Sequence, residues 1–411
     1  MTDYQLHEWP NGLRLVYKQV PTTRIVHCGL ILDVGSRDEN ESQQGIVHFW
    51  EHMAFRGTKK RKAFHILNGL ESVGGELNAY TTKEKICFYA SVLDRYFQKA
   101  VELLADITFQ ATFPQKQIEK ERSVILEEMA MYEDSPDDAI QDDFDQLVFK
   151  EHPLGKNILG NRSSVGGFKQ HDFLQFINEN LRTERVVFSC VGNLPFAKVV
   201  KVADRYLNQV QAQGNSRPPR AWFNGYHAEQ KSVSRSVIQA HCALGRPAYS
   251  IRHQDRLPFF ALVNLLGGPG MNSRLNLTLR EKHGLVYAIE AQYTPYQDTG
   301  LLSIFFGTDA RMMGRSLKLI KKELVLLQDR PLGTLQLHRV KEQLVGQLAM
   351  AEEHNMNLML MMGKSLLDLD QIKSLEEIIS EVRSITAAKI QDLAREMFNH
   401  KDFSVLTFLP K

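Results

Sequence analysis

The chain is poor in several things, and each shortage excludes something. Cysteine is scarce: Cys28, Cys87, Cys190 and Cys242 are the only four in 411 residues, widely spaced and without a C-x-x-C pair. That excludes a disulfide-dense framework. Each cysteine sits in an apolar, strand-like stretch, so buried reduced thiols are expected. No apolar run reaches the roughly 18 residues that cross a bilayer, so no membrane association is expected. Charge of one sign is also lacking: the net charge is +2, which argues against nucleic acid as a partner. The first residues, MTDYQLHEWPNGLRLVYKQV, show neither the basic start and apolar block of a secretory signal nor the Arg- and Ser-rich look of a transit peptide. A cytoplasmic protein is expected. What is present, 43% hydrophobic and 24% charged residues, is the profile of a soluble globular protein. The length exceeds one compact core and implies two or more domains.

Patterning along the chain suggests a plan stated twice. Residues 13–34 read as strands, 45–57 and 62–73 as helices, and 76–93 as two strands around a polar turn. Helical spacing then covers 94–110 and the stretch FPQKQIEKERSVILEEMAMYE, with Pro114 near its start. Ser135-Pro136-Asp137-Asp138 has the form of a helix N-terminus, and RVVFSCVGNL (185–194) reads as a buried strand. Residues 208–225 are polar, with Gly214, Pro218 and Pro219, and read as a linker. After them the order restarts: a strand in 236–248, a helix in 257–268, strands in LVYAIEAQY and LLSIFFGTD, and a final strand at 403–410. The expectation is two α/β halves of similar plan, 1–212 and 226–411, joined by a linker at 213–225. Met350, Met356, Met359, Met361 and Met362 read as a core or interface stripe on a long helical segment.

The stretch GIVHFWEHMAFRGTKKR carries His48, Glu51 and His52. On a helix, positions i and i+4 share a face, so both imidazoles reach one ion, and Glu51 falls to one side of the pair. This is H-x-x-E-H, the reverse of H-E-x-x-H. By itself it fits a metal helix or a plain helix equally well. A zinc site needs a third protein ligand, an open position for water, and an uncoordinated carboxylate to take the proton from that water. In IEKERSVILEEM, Glu121 and Glu128 lie two turns apart on one face. They form either a solvated acidic face beside Lys120 and Arg122 or the source of the missing ligand. In the second half, GGPGMNSR (267–274) lacks the Lys-Ser/Thr of a phosphate loop and reads as a flexible loop. Arg280 and Tyr287, in REKHGLVY, have groups able to donate to a carbonyl oxygen as it gains charge. They are also consistent with a surface arginine beside a core tyrosine. His283, between them, reads as exposed.

His48-x-x-Glu51-His52 with HMAFRGT after it, ELNAYT at 76–81 and IEKERSVILEEM ending at Glu128 resemble the pitrilysin superfamily of inverted-motif zinc peptidases. The chain is most similar to the branch holding the mitochondrial processing peptidase and its short bacterial relatives. In that family a glutamate follows the motif by about 76 residues, and Glu128 lies 76 positions after His52. The resemblance spans both halves and implies an α+β fold in which each half is a mainly antiparallel sheet packed with helices. It implies a catalytic domain over 1–212 and a catalytically silent homologous domain over 226–411. It makes His48, His52 and Glu128 the ligands of one zinc ion per chain and Glu51 the base. Glu121 supports the site from behind the ligands, and Arg280 and Tyr287 reach over to the substrate from the silent half. Asn78 and Ala79 would hold an extended peptide by strand addition. Trp50 departs from the leucine usual at its place; it faces away from the metal, so only packing should differ. The implied activity is that of a zinc endopeptidase acting on short or unfolded peptides inside a closed chamber formed by a homodimer. The alternative the family offers is a non-catalytic or partner-dependent subunit of a processing-peptidase-like assembly.

Overall fold

A computed structural model describes residues 4–212 and 218–411. Two sheets organise them. The first contains β1 (Gln5–Glu8), β2 (Arg14–Gln19), β3 (Ile25–Leu32), β4 (Glu76–Thr81), β5 (Ile86–Leu93) and β6 (Val186–Gly192), in the order β1-β2-β6-β3-β5-β4. The second contains β7 (Gln230–Arg235), β8 (Ala240–Ala248), β9 (Val286–Pro295), β10 (Gly300–Thr308) and β11 (Ser404–Pro410), in the order β7-β11-β8-β10-β9. Without β1 the two orders coincide. Each sheet has a single parallel pairing among its described strands, β2 with β6 and β7 with β11; the remaining pairings are antiparallel. This is an α+β fold of two similar halves. The sequence reasons are local. VVFSCVG, buried along its whole length and apolar but for Ser189, fills the central β6 position. ELNAYT, partly polar, forms β4 at the sheet edge.

The helices needed by the site are α1 (Ile46–Ala54), α2 (Ala63–Glu71), α3 (Phe97–Phe109), α4 (Gln115–Asp134) and α5 (Pro136–Val148). Pro136 stands at the first position of α5, but Ser135 does not cap the backbone. Its hydroxyl donates to the Asp138 carboxylate at 2.6 Å instead. The expected long segment of methionines is two helices, Thr334–Glu353 and Asn355–Leu369. Met359 and Met362 are buried, whereas Met350 and Met361 are exposed, so the stripe is core only in part.

Two helices change sides. The helix Asn355–Leu369 packs on β3 and β6, and α5 packs on β8 and β11. Met359, Met362 and Leu366 join Val16, Ile31 and Val187 in one apolar cluster. Phe144, Leu147 and Val148 join Leu406 and Phe408 in another. Full burial of side chains of this kind stabilises by about 1.5–3 kcal/mol each. Two compact units result. The first is drawn from Met1–Met129, Lys156–Ala221 and Ala351–Ser374, the second from Ala130–Gly155, Trp222–Met350 and Leu375–Lys411. The strands of each sheet come from one half of the sequence, while these two helices come from the other. Of the stretch 213–225, residues 213–217 lie outside the described residues and 218–225 carry no helix or strand. All four cysteines are buried and free, each on a strand.

Candidate metal centre

The site is built on α1. Its residues Ile46, Val47, Phe49, Trp50, Met53 and Ala54 are fully buried, so the helix is clamped on most sides and its orientation is fixed by packing. Trp50 points into this core, its ring 6.3 Å from that of Phe88. Gly45 starts the helix with φ 90°, a left-handed conformation that favours glycine. A Cβ there would also lie 2.4 Å from the Leu159 carbonyl oxygen. Gly45 has no side chain to cap the helix, and Glu39 supplies that cap: its two oxygens accept from the Gly45 and Val47 amides, each at 2.9 Å.

The remaining face of α1 carries the polar residues. The His48 and His52 rings are 4.6 Å apart. The Nε2 of His48 lies 3.7 Å from Glu128 Oε1, and the Nε2 of His52 lies 3.6 Å from Glu128 Oε2. These contacts are too long for hydrogen bonds. They are close to the separation of two ligands sharing a tetrahedral ion at 2.0–2.2 Å, roughly 3.3–3.6 Å. One ligand atom from each of His48, His52 and Glu128 lies within 4.8 Å of the others, and among the described residues this is the one such group of three or more. Burial, and next the neighbouring His52, push the His48 imidazole down to about 3. It is therefore neutral near pH 7, with a lone pair to give.

Behind the ligands stands Glu121. Its Oε1 lies 2.9 Å from His52 Nδ1 and accepts from Arg56 Nη2 at 3.0 Å. Donation from Nδ1–H fixes the tautomer that turns the Nε2 lone pair towards Glu128, the usual arrangement behind a metal-bound histidine. Burial would raise the Glu121 carboxyl, but its bonds with His52 and Arg56 outweigh that and hold it low. Burial would likewise lower His52, and the Glu121 hydrogen bond together with the charges of Glu128, Glu121 and Glu51 leaves it raised. Burial, with Glu121 adding repulsion, raises Glu128. Among the described residues Glu128 has no lysine or arginine partner. Three carboxylates beside two imidazoles, with one arginine already bound to Glu121, form a donor set that a divalent cation would complete. The residues fit zinc.

Glu51 is half-buried beside the ligands. Its Oε2 accepts from Thr81 Oγ1 at 2.6 Å, and burial raises its carboxyl against the lowering effect of that bond. Thr81 ends β4, the edge strand on which α1 packs. Asn78, exposed, and Ala79, half-buried, lie on the same strand. Seven of the nine residues singled out from sequence, His48, Glu51, His52, Asn78, Ala79, Glu121 and Glu128, thus fall within the first unit. Arg280 and Tyr287 belong to the second unit. Arg280 stands on a π-helix, Asn276–Lys282, and Tyr287 on the edge strand β9. The Arg280 guanidinium lies 5.8 Å from the centre of the Tyr287 ring, and Tyr287 is 88% exposed, so it is not a core tyrosine. His283 is half-buried rather than exposed and lies 3.4 Å from Arg315.

Sequence reasoning missed Glu39, Arg56 and Thr81. Arg56 follows His52 by one turn, a usable signal. Nothing local marks Glu39 or Thr81, because their partners are set by tertiary packing.

Comparison with known proteins gives a consistent result. The family model described as insulinase (peptidase family M16) matches residues 14–162, and that described as the M16 peptidase inactive domain matches residues 168–344. The chain is 33% identical over 403 residues to an uncharacterized zinc protease of Bacillus subtilis, covering 97% of each. It is 31% identical to one from Streptomyces coelicolor, covering 95% of this chain and 86% of that protein. A solved structure from Pseudomonas fluorescens, titled as a peptidase M16 inactive domain, superposes with a TM-score of 0.92 at 18% identity, covering 100% of this chain and 98% of that one. A protease from Helicobacter pylori gives 0.91 at 19% identity, covering 99% of both. These two likenesses concern the fold.

Proposed function

The chain belongs to the insulinase family of peptidases, M16, and from that premise we propose that it is a zinc-dependent endopeptidase whose base is Glu51. The observation that carries the proposal is the convergence of His48, His52 and Glu128 within 4.8 Å, with an uncoordinated carboxylate held beside them. One zinc ion per chain would be bound by these three residues. Bound there, the ion would acidify a water and polarise the scissile carbonyl.

The chain's own residues do the rest. Glu121 orients His52. Glu51, its carboxyl raised by burial, accepts the proton of the attacking water and returns it to the departing amine. Arg280 and Tyr287 donate to the substrate carbonyl as its oxygen gains charge. Asn78 and Ala79 offer main-chain groups on the free edge of β4, where an extended peptide adds as a further strand. Strand addition supports the substrate class: only a short or unfolded segment is free to lie extended along an edge. The homodimer and its closed chamber belong to the same proposal. The alternative of a non-catalytic subunit is opposed by the intact ligand set and base.

The test is purified protein assayed for metal and for digestion of a mixed peptide library by mass spectrometry. The expected result is one zinc per chain, cleavage by the parent, and a Glu51→Gln variant that keeps zinc but does not cleave. Cleavage by that variant at the parent rate would remove Glu51 from the mechanism. Mass in solution tests the dimer.

A further inference from the structure

Glu51 lies on a helix whose packing is fixed, but its own side chain has three rotatable bonds. A base that must meet a water within hydrogen-bond reach cannot be left to sample them, and the supporting contacts decide its aim. Among the described residues one protein donor reaches it: Thr81 Oγ1, 2.6 Å from Oε2. The distance is that of a hydroxyl on an ionised carboxylate. The bond occupies one oxygen and leaves Oε1 without a protein donor, free for the proton transfer. Thr81 is also the last residue of β4, two positions beyond Ala79, and is fixed by pairing with Ile86 of β5.

Resting on the peptidase reading above, we propose that Thr81 is the positioning residue of the base: its hydroxyl pins Glu51 Oε2, so that the strand receiving the substrate also sets the aim of the carboxylate that activates water. No bond is made or broken at Thr81. It acts through Glu51, and in the turnover step rather than in binding.

The experiment compares the full-length, zinc-loaded parent with Thr81→Val, which keeps the shape without the donor, Thr81→Ser, which keeps the donor, and Thr81→Ala as a second removal should valine disturb folding. Zinc content should stay at one per chain in all four. With a peptide the parent cleaves, Thr81→Val and Thr81→Ala should lower kcat roughly 10–100-fold, with KM within about threefold of the parent. Thr81→Ser should return kcat to within about threefold. Crystal structures of the zinc-loaded proteins give a readout that does not need turnover: Glu51 turned away in the valine variant and in place in the serine variant. The proposal is overturned if the valine variant keeps the parent kcat, if serine is as slow as valine, or if Glu51 keeps its place without the hydroxyl. A parent that cleaves nothing would sink the peptidase reading instead, and the crystal structures would still judge the role of Thr81.

Discussion

The two sheets repeat one frame, yet among the described residues one half alone gathers a candidate ligand set. In the first, α1 packs on the edge strand β4; in the second, the helix Arg256–Gly267 packs on the edge strand β9. A helix of 20 residues follows in each, α4 and Thr334–Glu353. In the first half the polar contact between the two helices joins an imidazole to carboxylates, His52 with Glu121 and both histidines with Glu128. In the second it joins amides: Asn264 Nδ2 donates to Gln347 Oε1 at 3.0 Å, and in the exposed loop after the first helix Asn272 exchanges hydrogen bonds with Gln343 at 3.2 Å. Amides are neutral and satisfy one another, so a half-buried amide pair is complete as it stands. Carboxylates gathered beside imidazoles are not, and they call for a cation. The same architecture carries a packed amide scaffold or a candidate metal centre according to which groups face each other across those two helices.

That contrast can be broken in several places. The largest effect is expected from Glu51→Gln, with kcat down about 10²–10⁴-fold and zinc retained, read by turnover and metal analysis. Next is Tyr287→Phe in the second half, with kcat/KM down by as much as about a hundredfold and neither zinc nor melting temperature changed, since the side chain is exposed. Unchanged turnover would leave the second half a scaffold only. Glu121→Gln should weaken zinc about 10–100-fold, measured by competition with a chelator, whereas the reverse exchange, Gln347→Glu, should recruit no second ion. The smallest effect is Asn264→Ala, which leaves the Gln347 side chain without its partner. A loss of about 1–2 kcal/mol is expected by denaturant unfolding, at constant zinc content.

Much of this was legible in the sequence. The alternation of apolar and polar stretches gave the order of elements in both halves, and the i, i+4 spacing put His48 and His52 on one face. The 76-residue step to Glu128 pointed through family resemblance to a third candidate ligand. What stayed hidden is set by tertiary packing. Nothing in the sequence of α5 or of Asn355–Leu369 says that each covers the sheet of the other half, because an apolar face fits either sheet. Cys28 and Cys190 lie far apart in the chain, yet they are direct register partners in β3 and β6. The pairs Thr81–Glu51 and Glu39 with the start of α1 escaped for the same reason.

The claim at the centre is that one half of this repeated frame binds metal and the other does not. Anomalous X-ray diffraction at the zinc absorption edge, on crystals of the zinc-loaded protein, tests it directly. One peak per chain is predicted, within bonding distance of His48 Nε2, His52 Nε2 and the Glu128 carboxylate, and none at Asn264 and Gln347. An absence of density among those three ligands, or a peak held by other residues, would contradict it.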